Sequence, residues 1–149
     1  MPVYELNCPS VAKDGKTPVN PRDILTIAGP SLVISVSSIH APIVTINGIA
    51  LLDTGAVATA IDESVCQQLN LPPVDVARVS HVEGSSRRTC YAARIAFPDL
   101  RLKPIQITRI LSVNLSAMNP PIIALIGRDL LAHFKFIYNG PRGRIEIAY

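Results

Sequence analysis

An apolar run ends in an acid at Leu51-Leu52-Asp53-Thr54-Gly55-Ala56. Four apolar residues precede the acid, so its carboxylate leaves a predicted buried strand and enters a turn. Gly55 allows other backbone to approach closely, and Thr54 offers a hydroxyl that can tie neighbouring loops together. A buried carboxylate is unfavourable unless it is protonated or paired, and no Lys, Arg or His lies within several residues of Asp53. An isolated Asp-x-Gly triplet indicates only a turn.

A second segment with a similar pattern changes the interpretation of the triplet. In this segment an apolar run is followed by a glycine and two charged residues, and its sequence is Ala124-Leu125-Ile126-Gly127-Arg128-Asp129. In this order, and with a polar hairpin between them, the two segments resemble the retroviral-type aspartic peptidases, the retropepsin family. The resemblance extends roughly over residues 32–149. It implies a mostly β, closed-barrel acid-protease fold with one or two short helices, assembled as a homodimer.

The resemblance implies a role for each residue of the active-site loop. Asp53 is the implied catalytic aspartate, Thr54 the implied hydrogen-bonding link across the dimer, and Gly55 an implied backbone contact to the bound peptide. Ala56 replaces the Ser of pepsin-like enzymes. Fewer hydrogen bonds to the catalytic pair are then expected, which implies a pH optimum less acidic than pepsin's.

Two further sets of residues receive implied roles. The tip of the polar hairpin corresponds to the flap that closes over substrate, and it comprises Val82, Glu83, Gly84 and Ser85. The second segment corresponds to the structural support of the loop: a strand whose terminal glycine lets the loop cross it, and then a short helix. Its residues are Ile126, Gly127, Arg128 and Asp129.

One departure from the family pattern follows the triplet directly. Val57 and Ala58 stand where several viral enzymes have an acidic residue that pairs with the arginine of the helix. The partner of Arg128 is therefore open between Asp129 and Asp23.

The number of triplets predicts the assembly. The family's chemistry needs two carboxylates, and this chain of 149 residues carries one triplet, so Asp53 from each of two copies is expected to meet on a two-fold axis. The implied function is an aspartic endopeptidase that hydrolyses extended polypeptide, with no metal or cofactor. The alternative is a dimeric peptide-binding or adaptor module on the same fold, in which the acid pair is idle.

Composition narrows the choice of partners and ligands. A net charge of +3 and 5% aromatic residues, without a basic stripe, disfavour a nucleic-acid partner. Arg87-Arg88 and the pair around Gly143 are interpreted as solvated turns. The three cysteines show no CxxC spacing, which argues against disulfides and zinc, and the three histidines show no metal-ligand spacing.

Targeting signals and membrane spans are not expected. The first residues lack the basic head and apolar core of a signal peptide. The apolar stretch 24–52 is interrupted by Pro30, His40, Pro42, Asn47 and Gly48, whereas a spanning helix needs roughly 20 consecutive apolar residues. These observations predict a cytoplasmic protein without a membrane partner.

The chain is expected to divide at residue 30. Residues 1–30 are predicted to be a Pro-rich, extended arm with one short strand at 3–6 and a turn at 14–16, and residues 31–149 the peptidase domain. Asn47-Gly48 predicts the two-residue turn of a hairpin, and 83–88 a polar hairpin tip between two strands. Strands are also predicted at 32–37, 122–126, 136–138 and 144–149, and a strand pair or one long strand at 102–111. Two short helices are predicted, one that opens at 61–64 with Asp62 as its cap and one at 128–134.

Overall fold

The computed structural model describes residues 1–9, 20–118 and 121–149, without the side chain of His81. The turn predicted at 14–16 lies outside these residues. The described strands are β1 Val3–Asn7, β2 Ser31–Ser37, β3 Thr45–Leu52, β4 Ala60–Asp62, β5 Pro73–His81, β6 Gly84–Ala96, β7 Ile105–Val113, β8 Ala124–Ile126, β9 Lys135–Asn139 and β10 Arg144–Ala148. The helices are α1 Pro21–Ile27, α2 Glu63–Gln68 and α3 Arg128–Leu131, with a 3₁₀ turn at Gly140–Arg142.

Six strands close into a barrel. They pair in the order β2-β3-β8-β4-β7-β6, and β6 pairs again with β2, so that Ser35 lies opposite Ala96. Strand β5 continues the sheet outward from β6. The barrel is filled by branched apolar side chains that are at most 1% exposed, among them Ile34, Ile61, Ile95, Ile110 and Ile126. The prediction of a mostly β, closed-barrel fold is confirmed.

The chain termini form a second, three-stranded sheet. β10 lies between β1 and β9, and all pairs are antiparallel, with Val3 opposite Ala148. The rings of Tyr4 and Tyr149 stack with centroids 5.6 Å apart at the end of this sheet.

Helix α1 was not expected, because the sequence predicts an extended conformation for this part of the arm. The side chain of Asn20 accepts a hydrogen bond from the Arg22 N–H at 2.9 Å, and Pro21 opens the first turn with a suitable φ. Leu25 anchors the helix in the core at 1% exposure. The fold therefore has three α-helices in its described part, one more than predicted.

The hairpin turn predicted at Asn47-Gly48 is wrong. β3 runs unbroken through both residues, with Ser35 and Ile34 opposite them on β2, and the connection between these strands lies at residues 38–44. A Cβ on Gly48 would lie 2.7 Å from the side chain of Ile123. The glycine is needed because Ile123 packs directly on the backbone of the strand.

The polar tip predicted at 83–88 is shorter than expected. His81 pairs with Gly84, so the β5–β6 hairpin turns at Val82 and Glu83 alone. Arg87-Arg88 therefore lies within strand β6, and its interpretation as a solvated turn is wrong. In the described part of the chain, no helix combines the length and apolar composition that crossing a bilayer requires.

Candidate active site

The site lies where β3 and β4, which are consecutive in the sequence, flank a third strand, β8, in the barrel. β8 runs parallel to β3 on one side and antiparallel to β4 on the other, with Leu52 opposite Ile126. Residues 53–59 connect β3 to β4 and must therefore cross the end of β8. The Asp53 N–H donates to the Ile126 carbonyl at 2.9 Å, which fixes the acid at the end of the central strand.

Asp53 is half-buried, and its carboxylate is held from within its own loop. Its Oδ1 accepts a hydrogen bond from the Gly55 N–H at 2.8 Å, and the Ala56 N–H donates to the Asp53 carbonyl at 3.2 Å. Thr54 and Gly55 are exposed, and Val57 is 70% exposed. The loop thus fixes one carboxylate, and the described residues of a single chain leave the outer face of the loop uncovered.

Gly127 makes the loop crossing possible. A Cβ at this position would lie 2.5 Å from the backbone carbon of Ala58, closer than any real contact. The Gly127 N–H donates to the Thr59 hydroxyl at 3.1 Å, and the Arg128 N–H donates to the Ala56 carbonyl at 2.9 Å. The loop and the start of α3 are consequently joined backbone to backbone.

The side chains of Arg128 and Asp129 clamp opposite ends of the loop. Arg128 Nη1 donates to the Thr54 carbonyl at 3.0 Å. Asp129 accepts from the Thr59 N–H at 3.0 Å and from its hydroxyl at 2.7 Å. Among the described residues, Arg128 forms an ion pair with neither Asp129 nor Asp23, because a backbone carbonyl takes that place.

The predicted flap residues Val82, Glu83, Gly84 and Ser85 lie at the end of the β5–β6 hairpin. Gly84, the first residue of β6 after the turn, has a φ of +134°, a conformation that favours glycine. Within the described ranges, no hydrogen bond joins this tip to the Asp53 loop.

Comparison with protein families matches residues 43–133 to the gag-polyprotein putative aspartyl proteases. The chain belongs to this family. The matched range contains the Asp53 loop, the β5–β6 hairpin and the Gly127 segment, although it leaves out the sheet formed by the termini. No curated protein sequence matches the chain significantly.

Three of the solved structures that are similar to the chain differ in how well they superpose. A retropepsin-like aspartic protease from Rickettsia conorii superposes with a TM-score of 0.51 at 17% identity, covering 98% of this chain and 91% of that one. EIAV protease in complex with the inhibitor HBY-793 gives 0.47 at 18% identity, over 70% and 86% of the two chains. Simian foamy virus (mac) protease gives 0.46 at 13% identity, over 68% and 91%. The fold of this aspartyl protease family member is retropepsin-like, as the first superposition shows.

Thr59 belongs to the site, although no feature of the sequence distinguishes it. It is 1% exposed and links Gly127 to Asp129 through one hydroxyl. A threonine beside an apolar strand has no local signal that distinguishes it from a packing residue. Only the pairing of β4 with β8 brings Thr59 and Asp129 together.

Asp62, which is buried, supports the loop from the far end of β4. It caps α2 by accepting from the Ser64 N–H at 3.0 Å and from the Ser64 hydroxyl, and it accepts from the Leu115 N–H at 2.6 Å. Burial acts to raise the pKa of Asp62, but these hydrogen bonds outweigh it, and the net pKa lies below the ordinary value. Asp62 is therefore a charged structural anchor.

The cysteines are part of the core. Cys8, Cys66 and Cys90 are free and buried. Burial, together with the nearby carboxylates of Glu63 and Asp62, raises the pKa of Cys66 to about 12. This thiol stays neutral and offers no nucleophile.

Proposed function

We propose that the protein is an aspartic endopeptidase that hydrolyses extended polypeptide, with an active site formed by Asp53 from each of two protomers. The observation that supports this most directly is the Asp53 loop itself. It presents one fixed carboxylate, that of the half-buried Asp53, beside the exposed Thr54, Gly55 and Val57. A second copy related by two-fold symmetry would cover this face and supply the missing carboxylate.

The chemistry follows from two like charges in one site. Carboxylates in contact do not both ionise, so the pair shares one proton, as in aspartic proteases generally. The ionised Asp53 takes a proton from a water held between the two, and the protonated Asp53 polarises the scissile carbonyl. The water adds to the carbonyl carbon, and the C–N bond breaks as a proton passes to the leaving amine.

The surrounding residues hold this pair in place. The Thr54 hydroxyl would bond to the partner's loop, and the backbone of Gly55 would bind the peptide. Arg128, through the Thr54 carbonyl, fixes the loop from behind at 3.0 Å. The β5–β6 hairpin, with residues 82–85 at its tip, would cover the substrate as a flap, and the substrate would then lie extended as an added strand.

The test compares the wild-type chain with Asp53→Asn on a library of unstructured peptides. An amide does not share the proton, so we expect cleavage to be lost while the fold and dimer persist in circular dichroism and sedimentation. Asp99→Asn, which changes an exposed turn acid, is the matched control and should cleave normally.

Two results would contradict the proposal. Cleavage that survives Asp53→Asn would remove the acid from the mechanism. Peptide binding without cleavage by the wild-type chain would favour the idle binding module instead.

A further inference from the structure

The β5–β6 hairpin places two arginines of like charge side by side. Arg78 on β5 lies directly opposite Arg87 on β6, and both are exposed. Like charges directly opposite each other on antiparallel strands destabilise the pair. This juxtaposition lies only three residue pairs from the turn, on the hairpin to which we assign the flap role.

Two other arginines near this hairpin lie close to carboxylates, whereas Arg78 and Arg87 form no ion pair among the described residues. Arg109 forms an ion pair with Asp75 at 3.0 Å. Arg88 lies close to Glu63, whose pKa is lowered first by a hydrogen bond from Ser112 and further by the charge of Arg88. In the described residues, neither Arg78 nor Arg87 forms an ion pair. Most of their guanidinium donors are therefore available to a ligand.

A cavity of about 460 Å³ adjoins the pair. Its size falls within the range of small-ligand pockets, roughly 300–1,000 Å³. Hydroxyl and guanidinium donors line it without a carboxylate, and the Arg78 Nε already orients the Ser85 hydroxyl at 3.2 Å. The lining residues are Val76, Ala77, Arg78, Ser85, Ser86 and Arg87. Such a donor-rich lining matches a carboxylate, which accepts from arginine in a bidentate manner.

We propose that Arg78 and Arg87 bind an acidic side chain, Asp or Glu, of the polypeptide substrate. The proposal rests on the proposed function, in which an extended peptide would lie beneath the hairpin that carries both arginines. A single-stranded nucleic acid fits less well, because it needs aromatic surfaces for base stacking and none lines this cavity. The pair thus sets a preference for acidic substrates.

Binding to the Asp53→Asn variant of the 149-residue chain tests the proposal without depending on cleavage. Peptides that differ only by Glu or Gln at one position would be compared by calorimetry. We expect the best Glu peptide to bind about tenfold more tightly than its Gln twin, as one charge-assisted contact allows. Arg78→Gln and Arg87→Gln should each reduce this ratio, and the double variant should abolish it.

Two further variants test whether the preference depends on the charge at these positions. Arg142→Gln removes an exposed arginine on the 3₁₀ turn and should leave the ratio unchanged. Arg87→Glu should reverse the charge preference, so that a Lys peptide binds more tightly than the otherwise identical Glu peptide. Equal binding of Glu and Gln peptides would overturn the proposal. So would tighter binding of an oligonucleotide, or binding of inorganic phosphate as tight as that of the peptide.

The failures of the two proposals are distinguishable. If the wild-type chain cleaves peptides without regard to acidic residues, the arginine assignment fails and the peptidase assignment stands. If acidic peptides bind through Arg78 and Arg87 but are never cleaved, the peptidase assignment fails and the arginine assignment stands.

Discussion

Gly127 and Asp53 depend on each other at the scale of single residues. The acid is placed by the Ile126 carbonyl, and the loop that carries it passes over Gly127 with no room for a side chain. Gly127 has an extended backbone, with φ −86°, that any residue adopts. Position 127 therefore requires glycine because there is no space for a Cβ, and the close passage of the Asp53 loop over this residue depends on that missing side chain.

Gly127→Ala should accordingly displace the loop. The new methyl would meet Ala58 and Thr59 backbone, which does not rotate away as a side chain does. We expect a loss of about 1–3 kcal/mol in unfolding free energy, in the range for overpacked sites. A misplacement of the acid by about 1 Å should also lower turnover about a hundredfold. Urea unfolding and peptide hydrolysis measure the two effects.

The matched control is Gly140→Ala, where a Cβ would meet the ring of Tyr138 at 3.3 Å. A movable ring relieves this contact, so the control should retain both stability and activity. Equal stability of Gly127→Ala and the wild-type chain would contradict the crowding argument.

Asp62 acts at the scale of elements, because one carboxylate joins α2, β4 and the segment after β7. It is 4% exposed and takes hydrogen bonds from Ser64 and Leu115. Without it, the start of α2 and the Leu115 N–H would each lose an acceptor. The end of β4, and with it the loop leading to β4, would be less firmly held.

Asp62→Asn should therefore destabilise the protein by about 1–3 kcal/mol near neutral pH, since buried donors lose a charged acceptor. The folded-state pKa lies below the ordinary value, so the charge stabilises the fold above the ordinary carboxyl range. That contribution is lost as the pH falls through the folded-state pKa. Urea titrations at several pH values should show that the difference in unfolding free energy between wild type and Asp62→Asn becomes smaller at acidic pH.

Asp23→Asn is the control for this prediction. Asp23 also lies in the first turn of a helix, but it is exposed, and its replacement should change stability by less than about 0.5 kcal/mol. If the difference in unfolding free energy between wild type and Asp62→Asn does not change with pH, the charge of Asp62 does not stabilise the fold.

Local sequence signals predicted elements well where they agreed with packing. Asp62 as the cap of α2 is confirmed, because capping depends on residues next to one another. Asn47-Gly48 failed for the opposite reason: the strongest local turn signal gave way to Ile123, which is distant in sequence and requires a glycine in a straight strand. Helix α1 had a readable signal in Asn20-Pro21, which the surrounding prolines obscured.

At the scale of the whole molecule, the described residues leave the Asp53 loop open on one side, which supports the dimer proposed above. Of the site, the sequence alone predicts the members of local motifs, Asp53 and Gly127. The clamp between Thr59 and Asp129 and the contact of Arg128 to Thr54 depend on barrel closure, which brings β4 and β8 together. No short-range pattern contains that information.

Mixing experiments test the shared site. If two Asp53 side chains form one centre, a heterodimer of wild type and Asp53→Asn is inactive. At equal amounts and random pairing, the wild-type chain should retain about half its activity. Mixing with Asp99→Asn instead should cause no loss. Undiminished activity in the first mixture would show that each chain works alone.

The antiparallel pairing of Val3 with Ala148 determines how the molecule responds to force. Residues 3 and 148, near the two ends of the chain, lie at the same end of two adjacent strands of the small sheet. A pull applied between them loads the cross-strand hydrogen bonds one after another instead of all at once. In an optical trap, β1 should peel from β10 like a zipper at low tension, well before the barrel ruptures.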